Sequence, residues 1–299
     1  MNILVIKLGA LGDFVQGFGP YAAIRAAHPG ARITLLTTPP FAGLARAAPW
    51  FDQVWDDGRP DWTNIPAVWR LARRLRAGRF ARVYDLQTSP RSSKYRFFVG
   101  LRAEWSGVAR GASHPHANPD RNAMHTVDRQ REQLQMAGIT AFPAPALDWL
   151  DADLSAFALP ERFALLLPGA SPTRPGKRWP LERFAELARA LPMPSVVCGG
   201  KAEAPLGAAL AAEAGALDLT GRTSLFQLAA IARRAALAVG NDSGPTHLAA
   251  AAGCRTLALF GAESEPSRCG PRGVDAGFIR HIPLAELEAG EVLRAVGGG

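Results

Sequence analysis

Two α/β domains, each a doubly wound parallel sheet with helices on both faces, are predicted for this chain by three observations. Short apolar strands alternate with helical patterns from Asn2 to Ala137, and a second alternating series starts at Phe163. A proline-rich, aperiodic stretch from Phe142 through Pro160 separates the two series. The length, 299 residues, exceeds the roughly 100 to 200 residues usual for one domain. The boundary is placed near residue 150, giving an N-terminal domain 1–150 and a C-terminal domain 151–299.

The first strand runs from Asn2 to Lys7 and is followed by a turn, Gly9 to Asp13, and a helical pattern from about Phe14 to Ala27. A strand at Arg32–Thr37, a helix near Phe41–Ala47, a short strand at Gln53–Trp55, a helix at Ile65–Ala77 and a strand at Ala81–Asp85 continue the series. A helix at Thr126–Ala137 closes it. In the second half, strands are expected at Phe163–Leu167, Ser195–Gly199, Leu237–Gly240 and Thr256–Phe260, with helices between them. The last helical pattern, Leu284–Val296, stands apart and is free to pack back on the N-terminal domain.

Nearly half the residues are hydrophobic (48%), enough for a large core and against a disordered chain. No apolar run approaches the roughly 20 residues of a membrane-spanning helix, and the first residues lead straight into a strand. A cytoplasmic location is therefore expected. Cys198, Cys254 and Cys269 lack the spacing of a zinc site or disulfide framework and read as buried small residues. The net charge of +8 implies attraction to an anion without choosing among nucleotide, phosphorylated lipid, membrane surface or nucleic acid.

Several motifs mislead. Gly17-Phe18-Gly19-Pro20-Tyr21-Ala22 satisfies a dinucleotide pattern but lies inside the first helix rather than at its mouth. Gly169 to Lys177 ends in Gly-Lys as a P-loop does, yet the spacing is too long and Arg178 stands where Ser or Thr is required. Asp151-Ala152-Asp153 matches a metal-holding pair but falls in the linker, where a solvated helix start explains it, so no metal site is expected. His114, His116 and His125 are irregularly spaced and read as surface or loop residues.

Three constellations carry chemistry. Gly240 to His247 joins a strand to a helix, at the carboxyl edge where open α/β sheets bind ligands. There Asp242 suits ribose hydroxyls, and Ser243, Gly244 and the amides through Thr246 suit phosphate at a helix N-terminus, with His247 as a further donor. An ordinary Asp/Ser helix cap is the plainer explanation. Pro168 to Pro180 follows the first strand of the second domain and brings Lys177 and Arg178 to the same edge, suited to a diphosphate leaving group. Asp13, after the first strand of the other domain, is placed to take a proton from an acceptor hydroxyl, or simply to cap the next helix. Arg91, Lys94 and Arg96 follow the strand ending at Asp85, where they suit an anionic acceptor, whereas Arg70, Arg73, Arg74 and Arg76 read equally well as a solvated face.

Together, Lys7-Leu8-Gly9-Ala10-Leu11-Gly12-Asp13, Pro168-Gly169-Ala170-Ser171 with Lys177-Arg178-Trp179-Pro180, Asp218-Leu219-Thr220-Gly221 with Ser224-Leu225, and Asn241-Asp242-Ser243-Gly244-Pro245-Thr246-His247 closely resemble the ADP-heptose:lipopolysaccharide heptosyltransferases, glycosyltransferase family 9. The resemblance covers nearly the whole chain. It implies a GT-B fold, two Rossmann-like domains facing a cleft, and inverting transfer of heptose or a related sugar from an ADP-sugar, without metal or other cofactor, to a lipopolysaccharide core or other glycan. By the same resemblance Asp13 is the base, Lys177 the phosphate-side cation, and Ser171, Thr173, Glu203, Asp242, Ser243, Gly244 and His247 the donor pocket. Gly12, Gln87, Arg91 and Lys94 fall on the acceptor side. The implied partners are a nucleotide-sugar and an anionic glycolipid or glycan, with contact at the inner face of the cytoplasmic membrane and no nucleic acid.

This sequence departs from the family pattern at Pro172, at Phe260 to Pro266, and around Asp56 to Asn64, where the basic residues for the first acceptor sugar find no match. Other readings on the same fold are a sugar-nucleotide epimerase and a non-catalytic nucleotide-sugar-binding protein.

Overall fold

The computed structural model describes residues 1–297. The chain divides into two compact units, Met1–Trp149 and the remainder from Leu150. The first contains β1 (Asn2–Ile6), α1 (Leu11–Val15), α2 (Phe18–Ala27), β2 (Arg32–Leu36), α3 (Pro39–Ala47), β3 (Gln53–Trp55), α4 (Ile65–Ala77), β4 (Arg82–Asp85), α5 (Pro90–Val99), β5 (Glu104–Gly107), β6 (His114–Pro115) and α6 (Thr126–Met136). The second contains β7 (Ala164–Leu167), α7 (Leu181–Ala190), β8 (Ser195–Val197), α8 (Ala204–Ala214), β9 (Leu217–Asp218), α9 (Leu225–Arg234), β10 (Leu237–Asn241), α10 (Gly244–Ala251), β11 (Thr256–Phe260), α11 (Pro266–Cys269), β12 (Ala276–Arg280) and α12 (Ala289–Gly297).

Each unit holds one six-stranded sheet with every neighbouring pair parallel. The first is ordered β3-β2-β1-β4-β5-β6, and the second repeats it as β9-β8-β7-β10-β11-β12. The order in which strands are added reverses between β1 and β4, and again between β7 and β10. At such a point the connections leave toward opposite edges of the sheet, so a crevice opens outside the carboxyl ends of the two central strands. Val5 lies opposite Leu35 on one side and Tyr84 on the other, and Val239 lies opposite Leu166 and Leu257.

The central strands read as continuous apolar runs because both faces are covered: Ile3 to Ile6 and Ala164 to Leu166 are fully buried. At the edge, β12 is largely exposed and was not legible as a strand. Neither were β5, β6 and β9, of which the last two are only two residues long. Helix α5 was not expected either, although Ser89 caps it by accepting from Ser92 N and Pro90 opens it.

The helix expected over Phe14–Ala27 is two helices, and the first begins at Leu11 inside the expected turn. Gly17 lies at the break, and a methyl there would lie 2.4 Å from the Tyr21 ring. The last helix starts at Ala289, and its Val292 and Val296 join the second unit's core with Trp179 and Phe184. Of the three histidines read as surface or loop residues, His116 and His125 lie in loops but are buried. His116 pairs with Glu132 at 3.1 Å, and His125 Nδ1 accepts from Val127 N at 3.2 Å, capping α6. No helix among the described residues is long and apolar enough to cross a membrane.

Candidate active site

At the crevice of the second unit, the loop after β7 meets the loop after β10. Asn241, fully buried, fixes both: its Nδ2 donates to Pro168 O at 2.8 Å and its Oδ1 accepts from Trp179 N at 3.0 Å. Position 240 admits only glycine, since a methyl there would lie 2.5 Å from Thr246 Oγ1 and 2.6 Å from Leu167 Cβ. The next residue, Asp242, accepts from Lys177 Nζ at 2.6 Å through Oδ2 and from His247 Nε2 at 3.4 Å through Oδ1. All three side chains are largely withdrawn from solvent, with 12% of Lys177, 6% of Asp242 and 7% of His247 exposed.

Burial alone would raise the Asp242 carboxyl. Hydrogen bonds from His247, Lys177 and Ser264 and the lysine charge outweigh that and bring it down to about 2. Because this folded value lies below the free carboxyl's 3.8, the ion pair stabilises the fold above about pH 4 and is lost as pH falls through about 2. The linked stabilisation is about 2 kcal/mol. Denaturant midpoints of the wild type and Asp242→Asn, measured against pH, should differ at neutral pH and converge over that acid window. A difference that persists to the bottom of the window would remove Asp242 ionisation as its source.

The remaining donor-side residues gather at the same edge. Ser171 and Thr173 share a hydrogen bond at 3.0 Å on the exposed part of the β7 loop. Glu203 ends the short turn after β8 and lies against Gly169, where a methyl would meet its Cγ at 2.8 Å. Ser243 occupies the N-cap position of α10 without a side-chain capping bond, and Asp242 is spent on Lys177 and His247. The ordinary-cap explanation therefore fails for both. Pro245 lacks an N–H, so the amides available at this helix start exclude it. Arg178 donates to Ala170 O at 3.0 Å and braces the loop that carries Lys177. Glu263, in the segment that departs from the family pattern, accepts from Gly176 N at 3.3 Å and ties the β11 loop to the β7 loop.

The first unit builds its crevice from the ends of β1 and β4. Lys7 is buried and donates to Leu86 O at 3.1 Å, while Leu8 N donates to Gln87 Oε1 at 2.8 Å. Burial lowers the Lys7 ammonium's pKa, partly offset by the nearby charges of Asp13 and Asp85. Asp85 is fully buried, and burial pushes its carboxyl up to about 6 despite hydrogen bonds from Thr88, Ser92 and Gln87. Gly9, at φ +101°, passes so close to Phe41 that a methyl would lie 2.2 Å from the ring. Asp13 follows in the first turn of α1, partly exposed, and its Oδ2 accepts from Ala10 N at 3.3 Å. The capping bond considered from sequence is thus present, leaving the other carboxylate oxygen outside it.

Two cavities lie beside this edge. One, about 360 Å³, is lined by Arg59, Trp62, Gln87, Ser89, Arg91 and Lys94, among others. The Arg91 guanidinium lies 4.6 Å and Lys94 Nζ 5.3 Å from the Trp62 ring centre, and Arg91 also donates to Pro60 O at 2.6 Å. The other, about 830 Å³, shares Leu8 and Arg59 and includes Gly9, Ala10, Phe41 and Arg70.

Gln87, Arg91 and Lys94 are therefore brought together, whereas Gly12 lines neither cavity. Arg59 and Trp62 were missed. They sit in the segment where no basic match was found, although its place after β3 at the carboxyl edge was a signal. Arg96, grouped with Arg91 and Lys94 from sequence, turns away to the carbonyls of Arg110 and Gly111. Among the described residues no three His, Cys, Asp or Glu side chains gather as metal ligands would.

Residues 68–292 match the family model described as glycosyltransferase family 9 (heptosyltransferase). The chain belongs to this family. It is accordingly a glycosyltransferase. It is similar to a lipopolysaccharide heptosyltransferase 2 of Escherichia coli K12, 30% identical across 94% of this chain and 88% of that one. Among solved structures, a family 9 glycosyl transferase from Veillonella parvula aligns with TM-score 0.82 at 23% identity, covering 99% and 96% of the two chains. An E. coli heptosyltransferase, WaaC, solved with ADP, aligns with TM-score 0.75 at 21% identity, covering 100% and 99%. At these identities the structural likeness speaks to the two-sheet GT-B fold of the family.

Proposed function

We propose that this family 9 enzyme transfers heptose or a related sugar, with inversion, from an ADP-sugar to a lipopolysaccharide core or a similar anionic glycan. The observation that carries the donor half is the buried Lys177–Asp242–His247 cluster at the mouth of α10. It holds a lysine ammonium at a helix start, on the sheet edge whose loops also carry Glu203, Ser171 and Thr173. As the bond between sugar C1 and the diphosphate breaks, negative charge grows on the leaving oxygens, and Lys177 stabilises it without a divalent ion. The ADP bound to the related E. coli structure supports an adenine nucleotide.

In the same step the acceptor oxygen bonds to C1 from the opposite face, and its proton passes to the Asp13 carboxylate. The products are an inverted glycoside and a free nucleoside diphosphate. The cation-lined pocket of Arg59, Arg91 and Lys94 suits an anionic acceptor. Acceptor names of the curated relatives support a lipopolysaccharide core.

Thermal melting against a nucleotide panel tests the donor assignment, since a ligand that binds only the folded state raises the melting temperature. ADP is expected to stabilise more than UDP or GDP, with and without EDTA. Equal shifts for all three would remove the adenine preference, and a shift lost in EDTA would remove the metal-free reading. A product sugar still attached to nucleotide when no acceptor is supplied would replace transfer with epimerisation.

A further inference from the structure

The face of the first unit formed by α4 and α5 combines features that the transfer site does not use. Ile65, Trp69, Arg73 and Arg76 recur at helical spacing on one side of α4, opposite the buried Leu71 and Leu75. Ile65 is 67% and Trp69 60% exposed, and so are two apolar residues at the end of α5, Phe97 at 64% and Leu101 at 60%. The two helices meet there: Arg76 donates to Phe97 O at 3.4 Å, which makes these side chains parts of one surface. Arg73 lies over the Trp69 ring at 5.5 Å.

The charge on this surface has one sign. From residue 65 to residue 103 the single acid is Asp85, which is buried, whereas Arg73, Arg76 and Arg102 are exposed. The nearest acids outside that stretch are engaged. Asp56 pairs with Arg46, Asp57 with Arg74 and Glu104 with Arg82, and Asp61 accepts from Thr63. A solvated basic helix has no need of an exposed tryptophan, isoleucine, phenylalanine and leucine among its arginines. A nucleic-acid face does not require the aliphatic pair. An aromatic and aliphatic stripe bordered by arginines fits the headgroup boundary of an anionic bilayer, where the apolar side chains enter and the guanidinium groups meet lipid phosphates.

We propose that the α4–α5 face docks the enzyme on an anionic lipid surface through Trp69, Ile65, Phe97 and Leu101, with Arg73, Arg76 and Arg102 on the phosphates. This docking is independent of the transfer assignment, because none of these residues lines the two cavities.

The test is co-sedimentation of the full chain with phosphatidylcholine vesicles, with and without phosphatidylglycerol, at low and high salt. Wild type is expected to bind the phosphatidylglycerol vesicles and leave the neutral ones in the supernatant. Each of Arg73→Gln, Arg76→Gln and Arg102→Gln should weaken binding about fivefold at low salt. Trp69→Ser with Phe97→Ser should abolish the fraction that survives high salt, with the circular dichroism melt unchanged. Absence of wild-type binding, equal binding to neutral vesicles, or vesicle binding indifferent to the Trp69 and Phe97 changes but displaced by single-stranded RNA would each overturn the proposal. The last result would assign the face to nucleic acid instead. The wild-type comparison needs no variant to fold.

Discussion

Asp13→Asn is expected to lower kcat about 10² to 10⁴-fold while leaving the melting temperature close to wild type. Asparagine keeps the size of the side chain, and its carbonyl oxygen can still accept the Ala10 N–H that Asp13 Oδ2 takes at 3.3 Å. The start of α1 is therefore preserved, and the change removes chiefly the ability to receive a proton. Asp13→Ala should differ in a diagnostic way. It loses the proton acceptor and the capping bond together, so a stability loss of about 1 kcal/mol accompanies the same fall in kcat. If Asp13 only caps the helix, the order reverses: Asn is then silent in turnover and Ala shows a defect in stability alone. Steady-state kinetics at saturating donor, paired with thermal melts of both variants, separates the two. Wild-type kcat in Asp13→Asn would end the assignment of Asp13 as base.

The second large effect is expected at Lys177. Lys177→Met should cost about 10² to 10³-fold in kcat, the usual consequence of removing a cation aimed at developing charge. It also strips Asp242, whose side chain is 6% exposed, of its one close cation, leaving His247 at 3.4 Å and Ser264. Leaving a buried charge without its main partner costs about 3 kcal/mol. The double change Lys177→Met with Asp242→Asn removes the stranded charge, so most of the stability should return. Activity should not return with it, because the cation is still missing. Recovery of kcat in the double variant would mean that Lys177 serves the fold rather than the leaving group. A wild-type melting temperature in Lys177→Met alone would mean that the ion pair contributes little to stability.

Both predictions concern residues that were found by position. Asp13 and Lys177 were chosen because each follows the first strand of an alternating series, and in a parallel sheet the residues after a strand collect at one edge. What position did not supply was pairing. Lys177 and Asp242 are 65 residues apart, and their contact at 2.6 Å exists because β7 and β10 are neighbours at the reversal of strand order. Lys7 and Leu86 meet by the same device at β1 and β4. Arg59 and Trp62 escaped notice because they lie on an irregular loop, where no periodicity marks a residue, and Trp62 meets Arg91 and Lys94 only once the chain is folded.

By itself the sequence determined the fold class, the central strands and the order of motifs. Apolar runs buried on both faces and glycines forced by close approach leave a local imprint, as Ile3 to Ile6 and Gly240 do. Tertiary structure decided the split of the first long helix at Gly17, the edge strands β6, β9 and β12, and the spending of Asp242 on Lys177 and His247. Those outcomes depend on which strand lies beside which and on what a ring such as Tyr21 leaves room for. Such contacts between residues distant in the chain have no local pattern through which a sequence can announce them.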